Sequence, residues 1–195
     1  MTLEQLQEIF PDATLDTWHQ HPNGGGWVQN TARVDAAARV YGNAQVYGNA
    51  LVSGNARVSG NARVSGDARV YGNALVYGNA LVYGDACVYG NALVYGNALV
   101  YGNALVYGDA RVYGDAWEHS PLTQSGRTHS VNVCAYGKIA IGCTIHTIAE
   151  WKKLGKRIAG SANISKKEFA ELKILFNAAV AWMKLYKVDK VTKEK

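Results

Sequence analysis

A six-residue unit repeats through the middle of this 195-residue chain without an insertion. Valine occupies position 28 and every sixth position after it through Val112, and an alanine follows four residues after each valine, from Ala32 to Ala116. A fixed period this short predicts a solenoid, in which each repeat buries its apolar side chains only against neighbouring repeats. Six residues are too few for a helix and its turn, but they suffice for a short strand and a tight corner.

The chemistry of the unit assigns a role to each position. Alternation along a strand places valine inward and the residues on either side of it outward. The recurring Gly-Asn pair supplies the corner, because glycine takes positive φ freely and asparagine tolerates it better than most residues. The small alanine fits where the chain turns back over a narrow core. The sequence therefore predicts stacked coils of short strands joined by tight corners.

This pattern resembles the hexapeptide-repeat family, whose unit is an aliphatic residue, a small or polar residue, two free positions and a small residue. The resemblance implies an all-β solenoid, a left-handed parallel β-helix of triangular section with three units per coil. The handedness follows from the resemblance alone, since the usual rule for parallel crossovers favours the right hand. At eighteen residues per coil, residues 28–117 make about five coils. At about 4.8 Å per stacked strand the prism is roughly 24 Å tall.

The outward positions divide the prism into two zones, because residues eighteen apart stack on one face. The lower coils carry mostly Arg and Ser, whereas the upper coils carry mostly Leu and Tyr on all three faces; on one face Leu99 is followed by Trp117. Exposed ladders this apolar predict a subunit interface, and the resemblance implies a homotrimer. Alternatively, tyrosine here reflects only strand propensity and ladder stacking. The predicted interface residues are Leu75, Leu81, Leu93, Leu99, Leu105, Tyr77, Tyr83, Tyr95 and Tyr101.

Residues 1–27 are expected to form an N-terminal cap on the prism. Residues 2–9 have the apolar spacing of a short helix that ends before Pro11, and Trp18 and Trp27 are expected to cover the bottom of the coils. The glycines at 24–26 lack the Lys-Ser/Thr that completes a phosphate-binding loop. They predict a flexible entry into the first coil.

Residues 118–195 differ in kind and form a predicted basic hairpin-helix module. Apolar residues alternate from Val131 to Ile145 around a turn at 136–138, which predicts a β-hairpin. Ser165 with Glu168, and Thr147 with Glu150, have the spacing of helix capping boxes. Fourteen Lys and Arg against six acids give the segment a charge of +8, which favours an anionic partner. A solvated helix face and a basic tail account for the same charge.

A narrower resemblance covers nearly the whole chain. The entry residues 23–28, the Tyr-Gly-Asn-Ala repeats and the segment Ile141–Trp151 are similar to those of hexapeptide-repeat proteins found in phages and prophages. That group has no generally assigned activity. The likeness implies a setting in a mobile genetic element and names no reaction.

Enzymatic interpretations find little support in the coils. Hexapeptide acyltransferases use a histidine in or beside the coils as a general base, and carbonic anhydrases of similar fold need three zinc-binding imidazoles. Residues 28–117 contain no histidine. Outside the coils, a nucleophile, a general base and an orienting carboxylate could be assembled from Cys143, His146 and Glu150. A metal site could be assembled from Cys134, Cys143 and His129, but these residues lack the close spacing of typical metal ligands.

The preferred hypothesis is a non-catalytic oligomer that captures an anionic nucleotide-like ligand, in a phage setting a host signal, or a host protein. No cofactor or metal is expected, and neither a membrane nor a nucleic acid is the expected partner. Since there is no signal peptide or long apolar run, we expect a cytoplasmic location. An acyl-CoA-dependent acyltransferase and a polymer-forming structural protein are the alternatives. The predicted ligand contacts are Arg127, His129, Lys138, His146, Trp151, Lys152 and Lys153.

Overall fold

A computed structural model describes residues 1–114, 116–117, 121–125, 129–141, 144–161 and 164–186. A short helix, α1 (Leu3–Gln7), precedes seventeen short strands that form the coils and their lower edge. In chain order the strands are β1 (Trp18–Gln20), β2 (Trp27–Gln29), β3 (Arg33–Val34), β4 (Arg39–Val40), β5 (Gln45–Val46), β6 (Leu51–Val52), β7 (Arg57–Val58), β8 (Arg63–Val64), β9 (Arg69–Val70), β10 (Leu75–Val76), β11 (Leu81–Val82), β12 (Cys87–Val88), β13 (Leu93–Tyr95), β14 (Leu99–Val100), β15 (Leu105–Val106), β16 (Arg111–Tyr113) and β17 (Ala116–Trp117).

The strands form the three sides of a parallel β-solenoid of about five turns. Sheet A has the order β1-β2-β5-β8-β11-β14-β17, sheet B the order β3-β6-β9-β12-β15, and sheet C the order β4-β7-β10-β13-β16. Each strand from β2 to β13 pairs in parallel with the strand eighteen residues further on, as in Arg57↔Leu75 and Leu75↔Leu93. The predicted solenoid with three units per coil is thus confirmed.

The core of the solenoid consists of the repeating valines and alanines. Every valine from Val40 to Val112 has no exposed side-chain surface, and every alanine from Ala38 to Ala110 is at most 1% exposed. Because β-branched valine suits extended backbone and alanine fits the narrow corners, three valines and three alanines fill each layer. Each layer therefore packs on the layers directly above and below it.

The corner glycines adopt a left-handed backbone and also approach the next coil closely. Gly78 has φ of +75°, and a Cβ atom built on it would lie 3.0 Å from the backbone nitrogen of Gly96, one coil above. A side chain at such a corner is opposed both by its own backbone conformation and by the coil that follows. Glycine is therefore a physical requirement of the stack.

We expect Gly78→Ala to destabilise the fold by about 2–4 kcal/mol, of which about 1–2 kcal/mol is the cost of left-handed backbone in a residue with a Cβ. Gly108→Ala is the matched control, because Gly108 has φ of +63° with no atom within 4 Å of a Cβ. Chemical denaturation of both variants measures the difference. Equal losses at the two positions would show that the approach of the neighbouring coil costs nothing.

The final rung of sheet A departs from the eighteen-residue spacing. Leu99 pairs with Ala116 and Val100 with Trp117, an offset of seventeen residues. The prediction that Trp117 follows Leu99 in the register of sheet A is therefore wrong. A slip of one residue exchanges the two faces of a strand, so Trp117 occupies the register position that valine holds in the coils below.

The N-terminal segment covers the lower end of sheet A. Strand β1 pairs antiparallel with β2 and extends that sheet by one strand. Leu6 of α1 packs with Trp18 and Trp27, all at most 3% exposed, and Phe10 and Tyr47 pack against them. Trp27 and Tyr47 flank inward valines, so this cluster lies on the outer face of the lowest coils. The two tryptophans therefore pack on the side of the prism and not across its bottom, where they were predicted.

The glycine-rich loop lies against the lowest strand of sheet C. The Gly26 nitrogen donates to the Val40 carbonyl oxygen at 2.8 Å, and a Cβ atom on Gly26 would lie 2.6 Å from a Val40 methyl carbon. His21 is buried and accepts a hydrogen bond from the Asn23 nitrogen at 3.3 Å on its Nδ1 atom. The prediction of a flexible entry is therefore wrong, because the loop is closely packed against β4 of the first coil.

The C-terminal segment forms an antiparallel sheet, sheet D, followed by two helices. Its elements are β18 (Thr123–Ser125), β19 (Ser130–Ala135), β20 (Lys138–Ile141), β21 (Thr144–Thr147), α2 (Ile148–Ser161) and α3 (Lys166–Leu185). Strands β19 and β20 form the predicted hairpin, with Gly137 at φ of +70° in its turn. Sheet D has two further strands, β18 beside β19 and β21 beside β20.

The capping predictions for both helices are confirmed. The Ser165 side chain accepts from the Glu168 nitrogen, and the Glu168 carboxylate accepts from the Ser165 nitrogen at 2.9 Å. Thr147 and Glu150 make the same reciprocal bonds at the start of α2. The buried residues of α3 belong to the same apolar cluster as Val131, Val133 and the solenoid valines. They are Leu172, Ala179, Val180 and Met183.

Candidate functional site

Three stacked tyrosine ladders run up the upper coils, one on each sheet. On sheet B the rings of Tyr71 and Tyr89 have centroids 4.9 Å apart and planes inclined by only 3°. The other consecutive pairs have centroid distances of 5.2–5.6 Å and interplanar angles of 6–22°. The ladders are Tyr71, Tyr89 and Tyr107 on sheet B; Tyr77, Tyr95 and Tyr113 on sheet C; and Tyr83 and Tyr101 on sheet A.

Leucines stand beside these ladders at the position before each valine. Leu75, Leu81, Leu93 and Leu99 are half-buried, and Leu105 is 40% exposed. Since the strands are parallel and in register, leucines eighteen apart lie side by side, as Leu81 and Leu99 do. The upper coils therefore present rigid strips of leucine and tyrosine, whereas the lower coils present Arg and Ser.

The three faces are not equally accessible. The cluster around α1 covers sheet A only at its lowest coils, where Trp27 and Tyr47 lie. On sheet C the ammonium group of Lys138, from sheet D, lies 5.2 Å from the centroid of the Tyr113 ring. Burial and the neighbouring Tyr77 hydroxyl raise the pKa of Tyr95, one rung below Tyr113. The upper coils of sheets A and B carry no such cover among the residues described.

The predicted interface residues omitted one complete ladder. Tyr71 and Tyr107 of sheet B are 36% and 40% exposed, and with Leu105 they form the most accessible of the three strips. The signal was present in the sequence, because tyrosine follows every valine from Val70 to Val112. Which of the three tyrosine ladders is accessible depends on the faces that the terminal segments cover, and the sequence alone does not give those contacts.

The predicted ligand contacts divide into a group that the structure brings together and a group that it does not. Lys138 and Thr147 are register partners on β20 and β21, and Ile139 is the partner of His146. The His146 ring meets the Trp151 ring edge-on at a centroid distance of 5.1 Å. Lys152 and Lys153 are exposed on α2, His129 is half-buried before β19, and Arg127 lies outside the described residues.

Trp151 is held by the sheet below it. Its indole nitrogen donates to the Ile139 carbonyl oxygen at 2.8 Å, and its side chain is 6% exposed. The ring therefore fixes α2 on sheet D and supports His146, whose side chain is 27% exposed.

Glu150 is engaged chiefly in capping α2. Its Oε2 atom accepts from both the backbone nitrogen and the hydroxyl of Thr147, each at 2.8 Å. These hydrogen bonds hold the pKa of Glu150 below its ordinary value. The nearest His146 nitrogen is 3.8 Å away, and Cys143, the third member of the conceivable triad, lies outside the described residues.

Cys134 is buried and poorly suited to nucleophilic or metal chemistry. Burial raises the pKa of its thiol to about 12, so the thiolate that would attack a substrate or bind a metal is scarce near neutral pH. Among the described residues no group of three His, Cys, Asp or Glu side chains is placed to hold a metal ion. The conceivable metal set also includes Cys143, outside those residues.

Fold and repeat together define the class of this protein, a parallel β-solenoid built from six-residue units with three units per coil. A family model described as the YdcK beta solenoid repeat matches seven segments, which together cover residues 44–84 and 86–120. Neither the curated proteins nor the solved structures gave a match. Within the described residues, no helix has the length and apolar character needed to cross a membrane.

Proposed function

We propose that this protein is a non-catalytic, self-associating binding scaffold. Its upper coils join copies of the chain into a homotrimer, and its basic C-terminal segment captures an anionic, nucleotide-like ligand. The observation that carries the proposal is the tyrosine ladder in the upper coils of every sheet, with leucines beside the ladders of sheets A and C and Leu105 beside that of sheet B. Contiguous apolar strips of this kind mark interaction surfaces, and aromatic residues are enriched in protein interfaces.

The coils contribute rigidity and no histidine that could act as a general base. Residues 28–117 contain no histidine, and corner side chains are joined from coil to coil, as Asn43 is to Asn61 and Asn61 to Asn79. Such ladders fix the surface shape before any partner arrives, which lowers the entropic cost of association. The arrangement suits a scaffold that presents surfaces.

The ligand-binding part of the proposal rests on the cations of the C-terminal segment. Lys138 stands at the start of β20 beside the Tyr113 ring, and Lys152 and Lys153 are exposed on α2, which follows directly on β21, the neighbour of β20. Ammonium groups pair with phosphate oxygens and tyrosine rings stack on bases. In a phage, such a protein would sequester a nucleotide signal of the host.

We expect Lys138→Ala to weaken the binding of ATP, used as the nucleotide probe, by about tenfold, the effect of losing one charge-assisted hydrogen bond. Lys173→Ala on the exposed side of α3 is the control and should leave the affinity unchanged. Isothermal titration calorimetry of the full chain measures both. Equal affinities for the two variants would exclude Lys138 from the site, and a wild-type chain that binds no ATP would refute nucleotide capture.

An acyltransferase would behave differently in the same preparation. It would hydrolyse or transfer the acyl group of an acyl-CoA, and His146→Ala would abolish the reaction because a general base had been removed. We expect no such turnover. Turnover that depends on His146 would replace the scaffold proposal with an enzyme.

A further inference from the structure

The three corners of the solenoid differ in how their side chains are linked from coil to coil. At the corner between sheets C and A, amide groups donate upward without interruption, from Asn43 through Asn61 and Asn79 to Asn97, at 3.0–3.1 Å. At the corner between sheets B and C, an equivalent ladder runs from Asn55 to Asp109 at 3.0–3.4 Å. Both ladders satisfy their groups within one chain.

The corner between sheets A and B, called the A–B corner, breaks this pattern. Asn49 donates to Asp67 at 3.2 Å, but the next rung is Asp85, a second carboxylate. Neither carboxylate has a proton to donate at neutral pH, so two like charges stand on adjacent rungs about 4.8 Å apart. Both side chains are exposed. The A–B corner therefore carries negative charge that its own ladder does not satisfy.

Positive charge flanks this corner without neutralising it. Arg63 lies on the sheet A side of Asp67, and Arg69 lies on the sheet B side. Among the residues that the structure describes, no ion pair joins Asp67 to either arginine at 4.0 Å or less. When two copies of this corner meet, the acid of one chain can face a base of the other, so the arrangement is complementary to itself.

The A–B corner also lies between the two sheets whose upper coils are least covered. Above Asp67, Tyr83 and Tyr101 approach this corner at the ends of their sheet A strands, and Cys87 and Leu105 at the starts of their sheet B strands. The other two corners both border sheet C, where the Lys138 ammonium group occupies the face of the top rung. A partner seated on the A–B corner would cover apolar surface on both of its sides.

We propose that a second copy of this chain docks on the A–B corner with its solenoid axis pointing the same way, and that Asp67 pairs with the partner's Arg69. This inference rests on the proposed self-association and adds the surface and the orientation. The orientation follows from the position of the apolar coils along the solenoid axis. Two parallel chains place their leucine and tyrosine coils against each other, whereas two antiparallel chains would place the leucine and tyrosine coils of one against the Arg and Ser coils of the other.

Charge reversal tests this contact. We expect Asp67→Arg to raise the dissociation constant of the oligomer at least tenfold, and the double variant D67R/R69D to recover most of the loss, because the exchanged charges again face each other. Asp109→Arg is the matched control, since Asp109 also accepts one asparagine amide from the coil below, at 3.0 Å. Analytical ultracentrifugation at several concentrations measures association, and circular dichroism confirms folding.

Each outcome decides between two claims. Equal association of Asp67→Arg and Asp109→Arg, with a wild-type oligomer, would overturn the A–B corner and leave self-association standing. Loss in Asp67→Arg without recovery in the double variant would overturn the pairing with Arg69. A wild-type chain that stays monomeric would overturn the proposed function and this inference together.

Discussion

Replacing Val58 with aspartate is expected to abolish cooperative folding of the solenoid. Val58 has no exposed surface and stacks between Val40 and Val76, its register partners in sheet C. A carboxylate there has no hydrogen-bonding partner in the valine and alanine core, and burying it unpaired costs several kcal/mol. Each coil depends on its neighbours, so the loss extends to the coils on both sides. We expect a destabilisation of at least about 4 kcal/mol.

Arg57→Asp provides the comparison at the adjacent position. Arg57 is exposed on the same strand, and a change there is expected to alter the free energy of unfolding by no more than about 0.5 kcal/mol. Urea denaturation followed by circular dichroism measures both variants. A cooperative transition for Val58→Asp near that of Arg57→Asp would contradict the valine core.

Introducing arginine at both Leu81 and Leu99 is expected to convert the proposed oligomer into folded monomers. The two leucines are neighbours on sheet A, both half-buried, in the part of the face that the N-terminal segment leaves open. In an association that buries this strip, two unpaired guanidinium groups would be desolvated against leucine and tyrosine, at a cost of several kcal/mol. Such a cost corresponds to at least a hundredfold rise in the dissociation constant.

Ile174→Arg is the control for this variant. Ile174 is 69% exposed on α3, away from the upper-coil strips and from the A–B corner, and its replacement also puts an arginine in place of an apolar residue. We expect its association to match that of the wild type in light scattering coupled to size-exclusion chromatography. If the double variant associates like Ile174→Arg, the strip on sheet A lies outside the interface.

The solenoid was predictable because its information is local and repeated. Val, Ala and the corner Gly each have one physical role, and Val40–Val112 occupy it without exception. The prediction failed where the repeat ends: nothing in the sequence around Trp117 signals that its strand pairs one residue out of step. Sheet D was predicted only as a hairpin, because β18 and β21 are short strands whose side chains do not alternate clearly between apolar and polar.

The candidate surfaces were only partly predictable, since access depends on contacts between distant segments. The sequence placed Tyr95 and Tyr83 at equivalent positions, yet Tyr113, the next rung above Tyr95, carries the Lys138 ammonium group from sheet D. Trp151 is an aromatic residue of the kind that often contacts ligands, but its indole N–H donates to the Ile139 carbonyl oxygen. Neither contact follows from residue type or spacing.

The mass of the native protein tests the central claim most directly. Native mass spectrometry of the full chain, purified gently from bacterial cells, compares the intact assembly with the 21.1 kDa chain. Self-association through the upper coils predicts a trimer, with added mass of a few hundred daltons per captured ligand. A monomer at micromolar concentration would contradict the account, since the leucine and tyrosine strips would then stand exposed to water.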